Sequence, residues 1–207
     1  MFIWLLGLIL LAGAPDPPLG VGVVVPHQSL DHPLYFFDRP HDSAWEQHVP
    51  MDSLTFQEGP YHIVMDHVPS GFAPLLQKLD YQILFLQAKT LTSAGWIEVI
   101  LNQETGEVAW VRHRDITFST WEDFLLGVFA VEILDPASNR LVANPGNHAA
   151  DVWSLAAERQ AFRPLAIQGN WMRVAPMEDG QVDKDARRAW IRWRDEDRLL
   201  IQYALLS

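Results

Sequence analysis

The sequence contains no cysteine. Disulfide bonds, thiolate metal ligands and a cysteine nucleophile are therefore excluded, and so is the lipidated cysteine of a lipoprotein. Basic residues are scarce as well, since 15 Lys and Arg stand against 26 Asp and Glu, for a net charge of -11. Binding to a phosphate backbone needs a surplus of cations, so nucleic acid is not expected as a partner.

Signatures of catalysis are also missing. The sequence has no Gly-x-Ser-x-Gly elbow, no His-Glu-x-x-His pair, no phosphate-binding loop and no dinucleotide fingerprint. The neighbouring acids Glu122 and Asp123 are explained by the capping of a helix. We therefore expect a protein that is not an enzyme and that binds no cofactor.

Most histidines lie in the first third of the chain, where aspartates accompany them. They are His27, His32, His41, His48, His62 and His67, near Asp31, Asp38, Asp42 and Asp66. No two of these histidines have the i, i+4 spacing of a helix or the His-x-His spacing of a strand that would place two imidazoles on one face. We interpret them as surface or hydrogen-bonded histidines and expect no metal site; a metal-dependent enzyme is the alternative.

The first 14 residues, MFIWLLGLILLAGA, form an apolar run that ends in small residues. Such a run is typical of a signal peptide, here cleaved after Ala14, and predicts export to the periplasm or cell envelope. An uncleaved anchor, which would be the one contact with a membrane, and a buried first strand are the alternatives, although a spanning helix needs ~20 residues. Residues 15–24 contain three prolines and are expected to form an extended tether.

One pattern occurs twice in the chain. The first copy reads Gly95, Trp96, Ile97, Glu98 and Val99, then a polar loop, then Ala109, Trp110, Val111 and Arg112. The second reads Gly169, Asn170, Trp171, Met172, Arg173 and Val174, a longer loop, then Ala189, Trp190, Ile191 and Arg192. Period-two alternation predicts two β-hairpins whose aliphatic residues face a core, with Trp96 and Trp171 on the opposite side.

The rest of the chain divides around these hairpins. Nine Trp, ten Phe and four Tyr favour the half-buried surfaces of sheets, so a mainly all-β fold is expected. A first unit over 25–134 holds an insertion at about 46–82 and a short connecting helix at about 120–126, with Thr120 as its N-cap. Strands are expected at 61–68 and 81–91. A second unit covers 140–207.

Together, the Gly-(x)-Trp and Ala-Trp elements resemble the bacterial Src-homology-three-like (SH3-like) domain, a five-stranded small β-barrel. The match covers 34–114 and 140–207, although the family usually has Gly where this chain has Ala109 and Ala189. The resemblance implies two tandem barrels, the first with an insertion, in an envelope protein that binds a peptide, a peptidoglycan fragment or a partner protein. In peptide-binding relatives a Trp at the start of the middle hairpin lines the groove, and Trp96 and Trp171 match it.

Six residues on the hairpins are candidates for ligand binding. They are Trp96, Trp110, Trp171, Trp190, Arg173 and Arg192. The alternative is that the tryptophans pack a sheet or an inter-barrel seam and supply area rather than recognition. The function would then be structural, in an assembly protein whose barrels and insertion dock a partner.

The basic run 187–194 also invites an anionic partner. Acidic residues flank this run, namely Asp183, Asp185, Asp195, Glu196 and Asp197. Neutralisation of the arginines by these acids is the simpler interpretation.

Overall fold

A computed structural model describes residues 18–40, 49–146, 150, 161–182 and 187–205. The expected signal peptide, residues 1–14, lies outside these described residues. The protein is mainly β, with 52% strand and 8% helix, which confirms the expected fold class. No helix in the described part is long and apolar enough to cross a membrane.

The strands follow one another along the chain with a single α-helix among the described residues. In the first part they are β1 (Gly22–Pro26), β2 (Leu34–Phe36), β3 (Asp52–Glu58), β4 (Ile63–His67), β5 (Leu76–Lys78), β6 (Ile83–Leu91), β7 (Trp96–Ile100), β8 (Val108–Arg112) and β9 (Ile116–Thr120). After α1 (Trp121–Gly127) come β10 (Ala130–Ile133), β11 (Phe162–Gln168), β12 (Trp171–Glu178), β13 (Gln181–Val182), β14 (Ala189–Arg192), β15 (Arg194–Asp195), β16 (Arg198–Leu199) and β17 (Ile201–Ala204). Short 3-10 helices span Leu79–Tyr81 and His113–Asp115.

Two antiparallel sheets share one strand order. In the first sheet the order is β8-β7-β6-β1-β9, and in the second β14 pairs with β12, followed by β11, β10 and β17. If these five strands of each sheet are numbered from 1 to 5 in chain order, both sheets have the order 4-3-2-1-5. The fifth strand returns to the first in each case, so the ends of a unit meet.

Each sheet has its own buried core. As alternation predicted, Ile97 and Val99 lie in the first core and Met172 and Val174 in the second, all fully buried. The second core is shared between the units, because it also contains Leu19 from the start of the chain, together with Val23 of β1, Trp121 and Leu125.

Helix α1 joins the two sheets. Its N-cap is Thr120, whose Oγ1 accepts a hydrogen bond of 3.1 Å from the Asp123 N–H, which confirms the predicted helix start. Trp121 Nε1 donates to the Leu19 carbonyl at 2.7 Å. The Phe124 ring packs edge-on against Phe85 of the first unit and Tyr203 of the second, at 5.4 and 5.1 Å between centroids.

The N-terminal segment differs from the extended tether expected over 15–24. β1 begins at Gly22 and lies inside the first sheet, between β6 and β9. The preceding residues are held by both units: Gln87 Nε2 donates to the Pro18 carbonyl at 2.6 Å, and the Leu19 N–H donates to the Asp197 carbonyl at 2.7 Å. Leu19 is 6% exposed. These hydrogen bonds and β1 place residues 18–24 within the fold rather than in a tether, and residues 15–17 lie outside the described residues.

The insertion contributes strands that the sequence had not indicated. β3 pairs with β2 and with β4 to form a small three-stranded sheet, and β5 adds to the edge of β6. The expected strands at 61–68 and 81–91 correspond to β4 and β6. Beside the small sheet, Val49, Met51 and Tyr61 are exposed, and Tyr61 is 94% accessible to solvent.

Candidate functional site

The two predicted hairpins have the same register. In the first, Trp96 pairs with Arg112 and Glu98 with Trp110. In the second, Trp171 pairs with Arg192 and Arg173 with Trp190. Directly paired residues share a face, so all six candidate residues lie on the sides of the hairpins that point away from the cores. We call these sides the first hairpin face (Trp96, Glu98, Trp110, Arg112) and the second hairpin face (Trp171, Arg173, Trp190, Arg192).

A glycine precedes each face for a conformational reason. Gly95 and Gly169 have φ values of +81° and +57°, in the left-handed region that side chains other than glycine's disfavour. The turn lets the chain enter β7 and β12 with the tryptophan directed away from the core. The glycine of the repeated glycine-tryptophan pattern is therefore needed for the backbone conformation of the turn, whereas the tryptophan contributes its side chain.

A distant segment pairs with the second tryptophan of each hairpin. The N–H and carbonyl groups of Phe37 and Trp110 bond reciprocally at 2.9 and 2.8 Å. Val142 and Trp190 do the same at 2.9 and 2.8 Å. The repeat thus extends beyond the hairpins, with an aromatic residue in the first unit where the second has an aliphatic one.

On the first hairpin face the leading tryptophan is covered. Trp96 is 5% exposed, and its ring meets the Phe37 ring edge-on at 5.1 Å. The Arg112 guanidinium lies 5.1 Å from the Trp96 ring centroid and 5.5 Å from that of Phe37, which are cation–π distances. At Trp96 the structure favours the packing alternative.

The remaining charge on this face has a partner. Lys89 Nζ lies 3.5 Å from the Glu98 carboxylate, across the pair formed by β6 and β7. The side chain of Glu98 is 15% exposed. The first hairpin face is thus apolar and close to neutral.

The second hairpin face is more open. Trp171 and Trp190 are half-buried, and Arg173 is exposed. The backbone beneath them is held firmly, because Asn139 Oδ1 accepts from the Arg192 N–H at 3.1 Å while Asn139 Nδ2 donates to the Arg192 carbonyl at 2.8 Å. Aromatic surface on a rigid strand is the arrangement expected of a binding platform.

The acidic flank neutralises only part of the basic run. Arg192 Nη2 donates to Asp195 Oδ1 at 2.9 Å, and Arg194 contacts Asn170 at 2.8 Å and Glu122 at 3.7 Å. Arg187 and Arg188 are exposed and make no ion pair with any described residue. Asp183 and Asp185 lie outside the described residues. The interpretation by neutralisation therefore fits Arg192 and Arg194, but no described acid serves Arg187 or Arg188.

A groove between the two units was not foreseen from the sequence. Its volume is about 970 Å³, and its walls include Leu19 and Trp121 at the seam, Leu75 and Gln103 from the first unit and Leu199 from the second. Gln103 Nε2 is buried there with no hydrogen-bond partner among the described residues. No local pattern could indicate this groove, because its walls come from segments far apart in the chain.

The histidine-rich third forms a hydrogen-bonded pair on the small sheet. His67 Nε2 lies 2.8 Å from Asp52 Oδ1, and this hydrogen bond, together with one from the Ser53 N–H, lowers the pKa of Asp52. Within the described ranges no three His, Asp or Glu residues come close enough to hold a metal ion. His41 and His48 are outside those ranges.

The chain was compared with protein-family models, curated proteins and solved structures, and no match was found in any of the three.

Proposed function

We propose that this chain is an exported, non-catalytic binding protein of the cell envelope, built from two Src-homology-three-like barrels. Its ligand is a peptide or a peptidoglycan fragment, held on the second hairpin face. Two structural features support the barrel interpretation: the order 4-3-2-1-5 occurs twice, and in each sheet the fifth strand returns to pair antiparallel with the first.

The observation that carries the binding proposal is the partial exposure of Trp171 and Trp190 beside Arg173. The two indoles stand diagonally across β12 and β14, because each is paired with an arginine of the opposite strand. Flat aromatic surface bordered by cationic donors is characteristic of binding hot spots, where the ring supplies buried area and the polar rim orients the ligand. The first hairpin face offers less, since Trp96 is already covered.

Binding rather than chemistry is favoured by the side chains on this face. Tryptophan and arginine supply apolar area and positive charge, whereas nucleophilic catalysis needs a hydroxyl, thiol, amine or carboxylate beside a general base. The second hairpin face has no such pair among its four residues.

The proposal is tested by titrating the mature protein with a purified disaccharide-tetrapeptide muropeptide while recording tryptophan fluorescence. We expect a saturable change in the wild type and its loss in Trp171→Ala. The matched control is Arg114→Ala, which removes an exposed arginine of the first unit and should leave the titration unchanged. An unresponsive wild type would exclude the muropeptide as the ligand, and a response that Trp171→Ala retains while still folded would overturn the proposal.

A structural role is the second candidate, and the small sheet of the insertion favours it. Val49, Met51 and Tyr61 expose apolar surface there, and β4 is an edge strand. Such surface fits the docking of a partner protein. Under this view Trp171→Ala unfolds the protein and Tyr61→Ser weakens its assembly, whereas the binding proposal expects neither.

A further inference from the structure

We infer that the second hairpin face selects an acidic peptide segment, one that carries several carboxylates beside apolar side chains. The inference rests on the binding role proposed above and adds the chemical class of the ligand. It depends on the charges that distinguish this face from its counterpart.

The first difference lies at the centre of the ladder. Glu98 stands opposite Trp110 in the first hairpin, and Arg173 stands opposite Trp190 in the second. Glu98 is paired with Lys89. Arg173 is exposed and has neither an ion pair nor a hydrogen bond to another described side chain. The position that holds a paired carboxylate in the first hairpin thus holds, in the second, a cation with no acidic partner among the described residues.

The second difference lies one step before β14. Arg188 precedes Ala189 as Val108 precedes Ala109 in the first hairpin. Period-two alternation places Arg188 on the side of Trp190, about 7 Å along the strand. Arg188 is thus a second cation beside Trp190 with no acidic partner among the described residues, whereas the same alternation places Arg187 on the opposite side of the strand.

Like charges at close spacing repel one another, so Arg173 and Arg188, which have no acidic partner among the described residues, favour an anion on this face. Arg192 and Arg194, by contrast, are paired with Asp195 and Glu122. Guanidinium groups also suit carboxylates particularly well, because their fork donates two parallel hydrogen bonds and their plane stacks on aromatic rings. One carboxylate would leave some of these donors unused, whereas an acidic segment can engage both Arg173 and Arg188.

The face as a whole fits a peptide better than a nucleic acid. Its net environment is acidic, with -11 on the chain, and long polyphosphates would be repelled outside the small basic area. Trp171 and Trp190 add apolar area that alternating apolar side chains of an extended peptide can cover.

The test uses a synthetic peptide of about ten residues alternating Asp and Leu, its Asn and Leu counterpart, and an oligothymidylate of similar length. Affinities are measured by tryptophan fluorescence at about 50 and about 200 mM salt. We expect the Asp peptide to bind at low salt and weaken at high salt, and the Asn peptide to bind at least about tenfold more weakly.

The double variant Arg173→Glu with Arg188→Glu should lower affinity for the Asp peptide by at least about tenfold. Arg114→Glu, the same change of charge at an exposed arginine of the first unit, should have little effect. Circular dichroism melts establish that both variants are folded, since all three positions are exposed.

The outcomes separate the inference from the proposed function. If the muropeptide still binds the double variant as it binds the wild type, or if the Asp and Asn peptides bind alike, the inference is wrong and the binding proposal stands. If the oligothymidylate binds more tightly than the Asp peptide, the ligand class is wrong. If neither the muropeptide nor either peptide changes the tryptophan fluorescence of the wild type, the proposed function itself fails.

Discussion

The first and second hairpins have tryptophan and arginine at corresponding ladder positions, yet Trp96 is covered and Trp171 is half-exposed. The segment that pairs with each hairpin accounts for the difference. Phe37 brings an aromatic ring within 5.1 Å of Trp96, whereas the corresponding Val142 has no ring. A duplicated strand pattern therefore specifies where a side chain is held, and a residue distant in sequence decides whether it is available.

The largest expected effect is a difference in the free energy of unfolding between alanine variants of Trp96 and Trp171, the first tryptophans of the two hairpins. Trp96→Ala should lower the free energy of unfolding by about 3–5 kcal/mol, because it removes a buried ring and its contacts with Phe37 and Arg112. Trp171→Ala should cost about 1 kcal/mol, since a half-exposed ring loses less buried area. Urea denaturation of both variants measures the contrast, and equal losses would mean that the two faces are packed alike.

Replacement of Phe37 by valine, the residue at the corresponding position 142 of the second unit, should make the Trp96 indole more exposed. Phe37→Val is expected to cost about 2 kcal/mol through lost contact with Trp96 and to raise the accessibility of that indole. Iodide quenching of tryptophan fluorescence reports the accessibility. Val142→Leu serves as the control on the second hairpin, where no ring is removed. If quenching in Phe37→Val matched the wild type, another contact would be covering Trp96.

The seam between the units gives a third comparison. Trp121→Phe replaces a buried indole by a single ring, which leaves a small cavity, and removes the 2.7 Å donor of the Leu19 carbonyl, at a cost of about 2 kcal/mol. Since Trp121 belongs to the core of the second unit and Leu19 leads into the first, both units should lose stability together. Hydrogen exchange in β6 and β11 can verify this. Loss of protection in one sheet alone would show that the units unfold independently.

The smallest expected effect is on the acid stability of the small sheet β2-β3-β4, which belongs to the first unit. The hydrogen bond from His67 lowers the pKa of Asp52 on folding. The stability gained is therefore present above the ordinary aspartate pKa and is lost as the pH falls through the lowered value. As the pH falls, the protection of β3 against hydrogen exchange should decrease before that of β7 does. In His67→Gln the difference in hydrogen exchange between β3 and β7 should shrink. An unchanged difference would show that the hydrogen bond between His67 and Asp52 is not its cause.

Local patterns predicted the parts of this fold that depend on near neighbours. Alternation identified the buried Ile97, Val99, Met172 and Val174, and the Thr120 cap marked the start of α1. Both signals are complete within a few residues of sequence. The pairing of Trp96 with Arg112 follows from the same hairpin logic.

Features made by distant contacts could not be predicted in this way. Pro18 and Leu19 read as part of a tether, yet they are held by Gln87, Asp197 and Trp121. The burial of Trp96 depends on Phe37, which lies far earlier in the chain. The arginines at 187–194 were visible in the sequence, but which of them have a described acidic partner became apparent only from the positions of Asp195 and Glu122.

The hydrogen bond from the Leu19 N–H to the Asp197 carbonyl joins residues near opposite ends of the described chain. During synthesis this contact cannot form until the segment that contains Asp197 has left the ribosome. Closing so long a loop carries a large entropic cost, so the contact has to follow the assembly of both sheets. β1 likewise has to wait for β9 before its second edge is paired. We therefore expect the hydrogen bond between Leu19 and Asp197 to be among the last of the described contacts to form.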